Sequence, residues 1–543
     1  MKLNAIDRLV GFFSAKAGLG RAEARLKLGA LESFAGASRS RPSMKSWNTS
    51  TKDADGDINP ELAVLRSRSR DLERNNPIAH GAIRTKTVYV IGNGLRPEPS
   101  IDAEFLGLSS EAAEKLQAQI LREFNLAADT TEADAARRKT FYQKQAELYH
   151  SARVNGDSFL LLPFIERDGS QIPYSTRFQS VEGDRVSNPN GKPDSETMSG
   201  GFELDQYGAT LGIHILQGSP SRRWLRSKAR WQSVPLADAN GRRNVLIHSN
   251  HNMRAGQTRG IPDLAPVIEV IKQAGRYIDA ELMASVISSK FTVFIKSARD
   301  DGGGSGAYAP GGGMLGSSAD DDDDDDDTPR DLRLGDGLVY ELDEGESIET
   351  ANPGRPNAAF DPFVTALWRM IGGAIGVPFE VLIKHFTASY SASRAALLQF
   401  AHYILVDRAN FVVDVCQPYY ETIIAEAVAR GRLRMPGFFR DPMIRRAYCQ
   451  ALWHGSNLGE LDELKAVNAS EKRLKIGIST HEREARHLVG ADWNQINNRR
   501  VIEERRKFKS GGAADGPPEP IDDDDESPEG LGQRGFSLPG GRE

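Results

Sequence analysis

Between residues 261 and 286 the positions Ile261, Leu264, Ile268, Ile271, Gly275, Ile278, Leu282 and Val286 recur at steps of three and four. At 100° per residue they fall in one narrow stripe, so the spacing predicts a long helix from near Pro262 that lies along neighbouring helices rather than across a sheet. Ala274, Gly275, Ala280 and Ala284 leave room for close approach. The stretch DPFVTALWRMIGGAIGVP predicts a second helix, with Asp361 as N-cap, Pro362 as first helical residue, and Gly376 and Pro378 at its end. A third is expected from about Ser391, with Leu397, Ala401, Ile404, Phe411 and Val415 on one face. Pro418 and Gly431 bound the next, and further helices run to about 507.

Residues 61–260 carry a mixed pattern. Helical periodicity appears at 61–86, 109–126 and 133–153. Strand-like runs follow at Phe159–Ile165, Gly201–Asp205, Leu211–Leu216 and Asn244–His248, separated by turn pairs such as Asp168-Gly169 and Asn190-Gly191. The fold class is therefore α+β. Residues 1–60 read as a flexible basic arm. After the strand FTVFIKS at 291–297, residues 299–330 contain Gly runs and eight adjacent aspartates, Asp320–Asp327, a composition that cannot pack. Strands GLVYEL (337–342) and SIETANP (347–353) resume, so 291–355 reads as a small β module with an acidic insertion. Residues 508–543 read as a disordered acidic tail.

At 543 residues the chain is long enough for several lobes, and 39% hydrophobic and 27% charged residues fit a folded protein. The net charge of −6 is set by the acidic runs at 320–327 and 522–526; without them the chain is mildly basic. Two cysteines, Cys416 and Cys449, match no metal or redox spacing, and no apolar stretch reaches the ~20 residues of a membrane span. Chemistry is sparse. The chain lacks a G-x-x-x-x-G-K-[ST] loop for ATP. In HEREARH, His481 and His487 are six apart and cannot share a metal on one helical face; Thr480 and Glu484 read instead as the start of a surface helix. His248 and His251 sit at a strand end without a third ligand, which favours a structural role. No catalytic residue, metal site or cofactor is expected.

The stretch KHFTASYS, Lys384, His385, Phe386, Thr387, Ala388, Ser389, Tyr390 and Ser391, sets two bulky rings among small polar residues just before an amphipathic helix. With GVPFEVLI before it and RAALLQF after it, with KRLKIGISTHEREARHLVGADW (472–493), and with RNNPIAHGAIRTKTVYVIGNGLRP (74–97), ARVNGDSFLLL (152–162), GGFELDQYGATLGIHIL (200–216) and MRAGQTRGIPDLAPVIEVI (253–271), it resembles the lambda-like family of tailed-bacteriophage portal proteins over about 60–505. The Gly/Asp insertion departs from that pattern.

The resemblance implies a ring of about twelve subunits at one capsid vertex, in the virion, made in the host bacterial cytoplasm, with no membrane association. Its wing would be 61–260, its stem helices 261–290 and 356–375, and its clip 291–355. A tunnel loop at 376–391 would precede long helices (392–431) returning to the wing, with a helical wing or crown at 432–507. Double-stranded DNA would pass without sequence-specific contacts. Partners would be the terminase large subunit, the major capsid and scaffolding proteins and a head–tail adaptor. Residues 384–391 would touch DNA, Gly372, Gly373 and Gly376 would be the loop hinge, and Leu264, Ile268, Ile271, Gly275, Ile278 and Leu282 would pack the stem. Another ring-forming head–tail connector, or a phage metal-dependent nuclease, is the competing reading; the nuclease would need clustered ligands in folded segments.

Overall fold

The computed structural model describes residues 35–38, 41–47, 49–218, 230–250, 254–290, 294–297, 346–349, 359–386, 389–456, 463–489 and 493–509, with isolated positions before 35. The expectations for 299–330, for the strand at 337–342, for His251 and for most of the tail lie outside them. The chain divides into two units, Met1–Leu452 and Trp453–Glu543.

In the first unit the periodic stretch 61–86 is two helices, α1 (Ala54–Asn75) and α2 (Pro77–Val90). Asn76 is extended, as the residue before a proline prefers, and its side-chain oxygen accepts the Ile78 and Ala79 N–H groups at 3.0 and 3.1 Å. The arm expected through residue 60 ends earlier, because Asp53 caps the Gly56 N–H at 3.0 Å and the buried Asp55 accepts from the Thr258 N–H and hydroxyl at 2.8 and 2.9 Å.

After β1 (Arg96–Pro99) and α3 (Ser110–Ala128), the helix expected over 133–153 begins only at α4 (Phe141–Asn155). The Asp134 carboxylate coils the chain back on itself, accepting from Ala136, Arg138 and Lys139 N–H groups at 3.0, 3.1 and 3.2 Å. Thr140 and Gln143 then form a reciprocal capping box.

Two antiparallel sheets follow. β2 (Asp157–Leu161) lies between β3 (Gln179–Val181) and β8 (Val245–Ser249). β4 (Met198–Ser199), β5 (Phe202–Leu204), β6 (Thr210–Leu216) and β7 (Trp231–Pro235) form the other in sequence order. Phe159, Val181, Val186, Phe202, Ile213, Ile215 and Val245 form the core they share. β7 is invisible to hydropathy because only Trp231 and Val234 of its five residues are apolar and large.

Glu147 ties α4 to β3. Burial alone would raise its carboxyl, but hydrogen bonds from Lys139, Ser180 and Lys144 outweigh that and bring it from 4.5 to about 2. A carboxyl that titrates lower in the fold than in the open chain stabilises above its unfolded value, and that contribution is lost as pH falls from about 4.5 toward about 2. Glu147→Gln should therefore give a flatter stability curve than wild type across this range, read by urea melts at stepped pH.

The helix expected from Pro262 starts as a 3₁₀ turn, Ala265–Val267, and becomes α5 only at Ile268–Lys290. The chain before it is held to the wall of the fold by the Asp263 N–H, which donates to the Arg153 carbonyl at 2.9 Å. β9 (Phe294–Ser297) and β10 (Glu346–Glu349) pair antiparallel. α6 (Phe360–Ile375) begins one residue before Asp361, which is not the cap but a first-turn acid. α7 (Phe379–Ile383) and α8 (Tyr390–Phe411) follow.

From α8 the helix continues through a π-turn, Val412–Cys416, into α9 (Gln417–Ala429). Pro418 explains the wide turn: proline has no N–H to donate to residue 414 and its ring would crowd that carbonyl. Tyr419 of α9 stacks on Phe141 of α4 at 4.1 Å between ring centres, with Phe124 and Phe178 edge-on, so the returning helix is sealed to the α+β layer. Leu433, Met435, Phe438, Tyr448 and Cys449 are also buried, so 432–452 packs with the first unit.

The second unit holds α10 (Glu463–Lys475), α11 (His481–Val489) and α12 (Trp493–Lys509). Glu484 is buried rather than a surface residue, because Arg473 at 2.6 Å and the Ser470 hydroxyl hold it. His481 stacks on Trp493 at 4.8 Å.

Candidate functional site

The stretch GQTRGIPD leads from the sheets into α5, and two glycines press it against α4. A Cβ built on Gly156 would stand 2.2 Å from the Gly260 carbonyl oxygen, and one on Gly260 would stand 1.8 Å from that of Gly156. Beside them Arg259 is buried among acceptors: Asp157 at 2.7 and 3.2 Å and the carbonyls of Val186, Gly200 and Gly183 at 2.8, 2.6 and 2.9 Å. Arg66 of α1 adds a second guanidinium on Asp157 at 2.8 Å. Burial would raise the Asp157 carboxyl; the two guanidinium groups hold it below the usual range.

A second polar junction joins the root of α5 to α8. Lys86 of α2 reaches Asp263 at 2.7 Å, the Ile375 carbonyl at the end of α6 at 3.3 Å and Asp407 of α8 at 4.0 Å. Arg153 of α4 stands 3.5 Å from Asp263 and 3.9 Å from Asp407, and the Tyr149 hydroxyl donates to Asp407. His248 completes the set. An arginine only donates, so the 3.4 Å contact from Arg153 makes His248 Nε2 the acceptor and leaves Nδ1–H to donate to Asp414 at 2.9 Å. His248 is thus structural, and the π-turn is what carries Asp414 to it.

The stripe on α5 is covered only along its first half. Leu264, Ile271 and Ala274 are buried and Ile268 is half-buried. Farther on, Ile278 is half-buried, Leu282 is 62% exposed and Gly275 has nothing within 4 Å of its missing Cβ. Tyr277 joins α5 to α6, stacked on Phe360 at 5.8 Å and edge-on to Phe363 at 5.1 Å.

The three glycines at the end of α6 differ in kind. Gly372 is buried and helical, and its missing Cβ would stand 2.6 Å from the Val377 carbonyl, so close packing and not hinge freedom requires it. Gly373 is exposed with open space around it. Gly376 alone has a left-handed backbone, φ 73°, as the C-cap. Gly372→Ala should therefore cost more than Gly376→Ala, with the latter near 1 kcal/mol, both measured by thermal melts.

Lys384 closes α7 in a left-handed conformation, φ 56°, which costs a non-glycine residue about 1 kcal/mol. His385 and Phe386 follow, both exposed, Phe386 by 54%. Thr387 and Ala388 lie outside the described residues. Ser389 caps α8 through the Ala392 N–H at 3.4 Å, so Tyr390 and Ser391 already belong to the helix rather than the loop. Hydropathy missed Arg259, Asp157, Lys86, Arg153 and Asp407, since charged residues carry no periodic signal. Their trace was the glycine beside charge in RVNGD and TRGIPD. Among the described residues no helix is long and apolar enough to cross a membrane.

Comparison with known proteins now gives these elements a family. The family model described as phage portal protein, lambda family, matches residues 40–408. The chain belongs to the lambda family of phage portal proteins.

The portal protein of Escherichia phage N15 is 25% identical to it over 472 residues, 85% of this chain and 87% of that protein. Portal protein B of Escherichia phage lambda is 24% identical over 470 residues, with the same shares covered. A chain from the virion of a native gene transfer agent particle overlaps 79% of this chain and 93% of its own length at 13% identity, TM-score 0.38. The protein is accordingly a phage portal protein forming a channel at a capsid vertex, and its family is structural and not enzymatic.

Proposed function

We propose that this portal protein works as a ring of about twelve copies at one vertex of the virion, in which residues 384–391 form the loop that touches passing double-stranded DNA. The observation that carries the loop assignment is its mounting. Phe386 stands exposed between Lys384, which caps α7, and Ser389, which caps α8, and α8 is tied to the rest of the fold through its own Asp407 and through Asp414 of the π-turn that continues it. DNA has to slide without being held, so bulk with few phosphate contacts suits the task. Lys384 and His385 supply limited charge, and Thr387, Ser389 and Ser391 weak, sequence-independent hydrogen bonds. Gly376 is the pivot at which the loop leaves α6.

On this reading 61–260 is the wing, α5 and α6 are the stem, 291–355 is the clip, 392–431 returns to the wing and the helices beyond 453 form the crown. Gly275 and Ile278, half-buried, and Leu282, exposed in a single copy, face the adjacent copy. The clip meets the terminase large subunit during packaging and the head–tail adaptor afterwards, while the major capsid and scaffolding proteins surround the ring. The protein is made in the host bacterial cytoplasm and matures in the virion. The test is Phe386→Ala in assembling phage. Rings should form as in wild type while the amount of DNA packaged or retained changes; wild-type DNA content and packaging rate would remove the loop from the pathway of DNA.

A further inference from the structure

A closed ring of more than two copies joins each copy to the next through two unlike faces. The inference drawn here rests on that ring. Two runs of large apolar side chains in the first unit lack cover. One lies on α8 and the π-turn, where Leu398, Leu405, Val406 and Val413 are 58%, 56%, 59% and 69% exposed. The other lies on the α5–α6 pair, where Leu282, Met283, Phe363 and Met370 are 62%, 58%, 48% and 51% exposed. Among the other described residues of the unit, exposed apolar side chains such as Trp47, Val64, Val88, Phe105, Leu126, Phe164, Tyr207 and Leu211 form no comparable run on a helix pair, and Phe12 with Phe13, and Phe439 with Met443, make smaller pairs. Single exposed apolar residues need no partner.

α8 is inverted for a surface helix. At 100° per residue its exposed apolar run falls on the half opposite Phe400, Ile404 and Phe411, which are buried. Its only Asp, Glu, Lys or Arg residues between 395 and 413 are Asp407 and Arg408, and both turn inward. Asp407 takes the Tyr149 hydroxyl, and Arg408 donates to the carbonyls of Val90 and Tyr89 at 2.7 and 2.8 Å. Charge inside and leucine and valine outside is the pattern of a helix whose outer face is meant to be covered.

The α5–α6 face has the complementary relief. Exposed Ala366, Gly373 and Ala374 lie beside Phe363 and Met370, and Gly275 and Gly373 have open space where a Cβ would stand. That is a shallow bed of small residues suited to a branched ridge. At these exposures each run leaves on the order of 400 Å² open, within the range of the largest patch on a monomer and about half of the ~800 Å² per partner in a stable interface. We propose that the Leu398–Leu405–Val406–Val413 ridge of one copy packs on the α5–α6 face of the next copy, forming the seam of the ring.

The full chain tests this through paired cysteines, with its own Cys416 and Cys449 buried. Leu405→Cys combined in turn with Met283→Cys, Phe363→Cys or Met370→Cys should, after mild oxidation, give a covalent ladder of oligomers for at least one pair. Each single variant should stay monomeric on denaturing gels. Separately, Leu405→Glu with Val413→Glu should raise the concentration needed for assembly by about 100-fold or more, with the melting curve of the single chain unchanged.

Dimers from Leu405→Cys alone would show a like-to-like contact and overturn the seam. A bridge confined within one chain would show that the ridge covers its own stem. Rings that form in the wild type, with no ladder from any cysteine pair and with the double glutamate variant still assembling, would overturn the seam and leave the ring standing. A wild-type chain that never assembles would overturn the ring itself and the seam with it.

Discussion

Gly260→Ala should largely abolish accumulation of folded protein, and Gly156→Ala should do the same. Each methyl would enter the partner's backbone, at 1.8 Å from the Gly156 carbonyl oxygen or 2.2 Å from that of Gly260, where no side chain can swing aside. Gly156 adds a left-handed φ of 91° that an alanine resists. Relief would need the strand entering the wing and the segment entering α5 to separate. That would also pull Asp263 from the Arg153 carbonyl, now 2.9 Å away, and from Lys86. Overpacking typically costs about 1–3 kcal/mol, and with backbone on both sides of this contact the cost falls at or above the upper end, a large share of the stability of any domain. The check is soluble yield together with the urea midpoint of whatever folds. A midpoint within the error of wild type would mean that the two segments are not in contact.

Arg259→Met should be nearly as damaging, by a different route. The methionine fills the volume but donates nothing, so the carbonyls of Val186, Gly200 and Gly183 lose the guanidinium, Gly183 keeping only the Val186 N–H, and Asp157 is left with Arg66 as its remaining cation. Removing one partner of a buried ion pair costs about 3–5 kcal/mol, because the surviving charge and acceptors stay out of water. Arg259→Lys should recover little. A lysine head has three donors on a single point and cannot span Asp157 and three separate carbonyls as a planar guanidinium does. Asp157→Asn in the same chain as Arg259→Met should cost less than the sum of the two changes, since it removes the charge that the first change strands. Additive losses in that cycle would deny the pairing.

The elements that sequence reading found are those whose cause is local. The stripe of α5, the Gly376 terminus of α6 and the core face of α8 through Ile404, Phe411 and Val415 follow from hydrophobic period and turn chemistry. Boundaries moved where a side chain competed with the backbone pattern. Asp134 delayed α4, Asp55 drew the end of the arm into α1, and the contact of Asp263 with Arg153 delayed α5. Pro418 marked only a helix boundary in the sequence, and the π-turn just before it carries Asp414 to His248, 166 residues earlier in the chain, a partner no local pattern could show. No periodic signal could show that Arg259, Asp157 and Arg66 meet, since nothing in the sequence states which distant acceptors a buried guanidinium will find. The family was legible in short motifs taken in order, and those motifs contain Gly156, Asp157, Arg259 and Gly260 of the first junction and Lys86, Arg153 and Asp263 of the second, while Arg66, Asp407 and Asp414 lie outside them.

The account stands most directly on the mass of the purified full-length chain in solution, with images of the same sample by negative-stain electron microscopy. One copy is 59.5 kDa. A closed ring of about twelve, roughly 700 kDa with a central hole, is the expected result. A chain that remains at the mass of one or two copies at every concentration, and does so when its capsid and scaffolding partners are added, would contradict it.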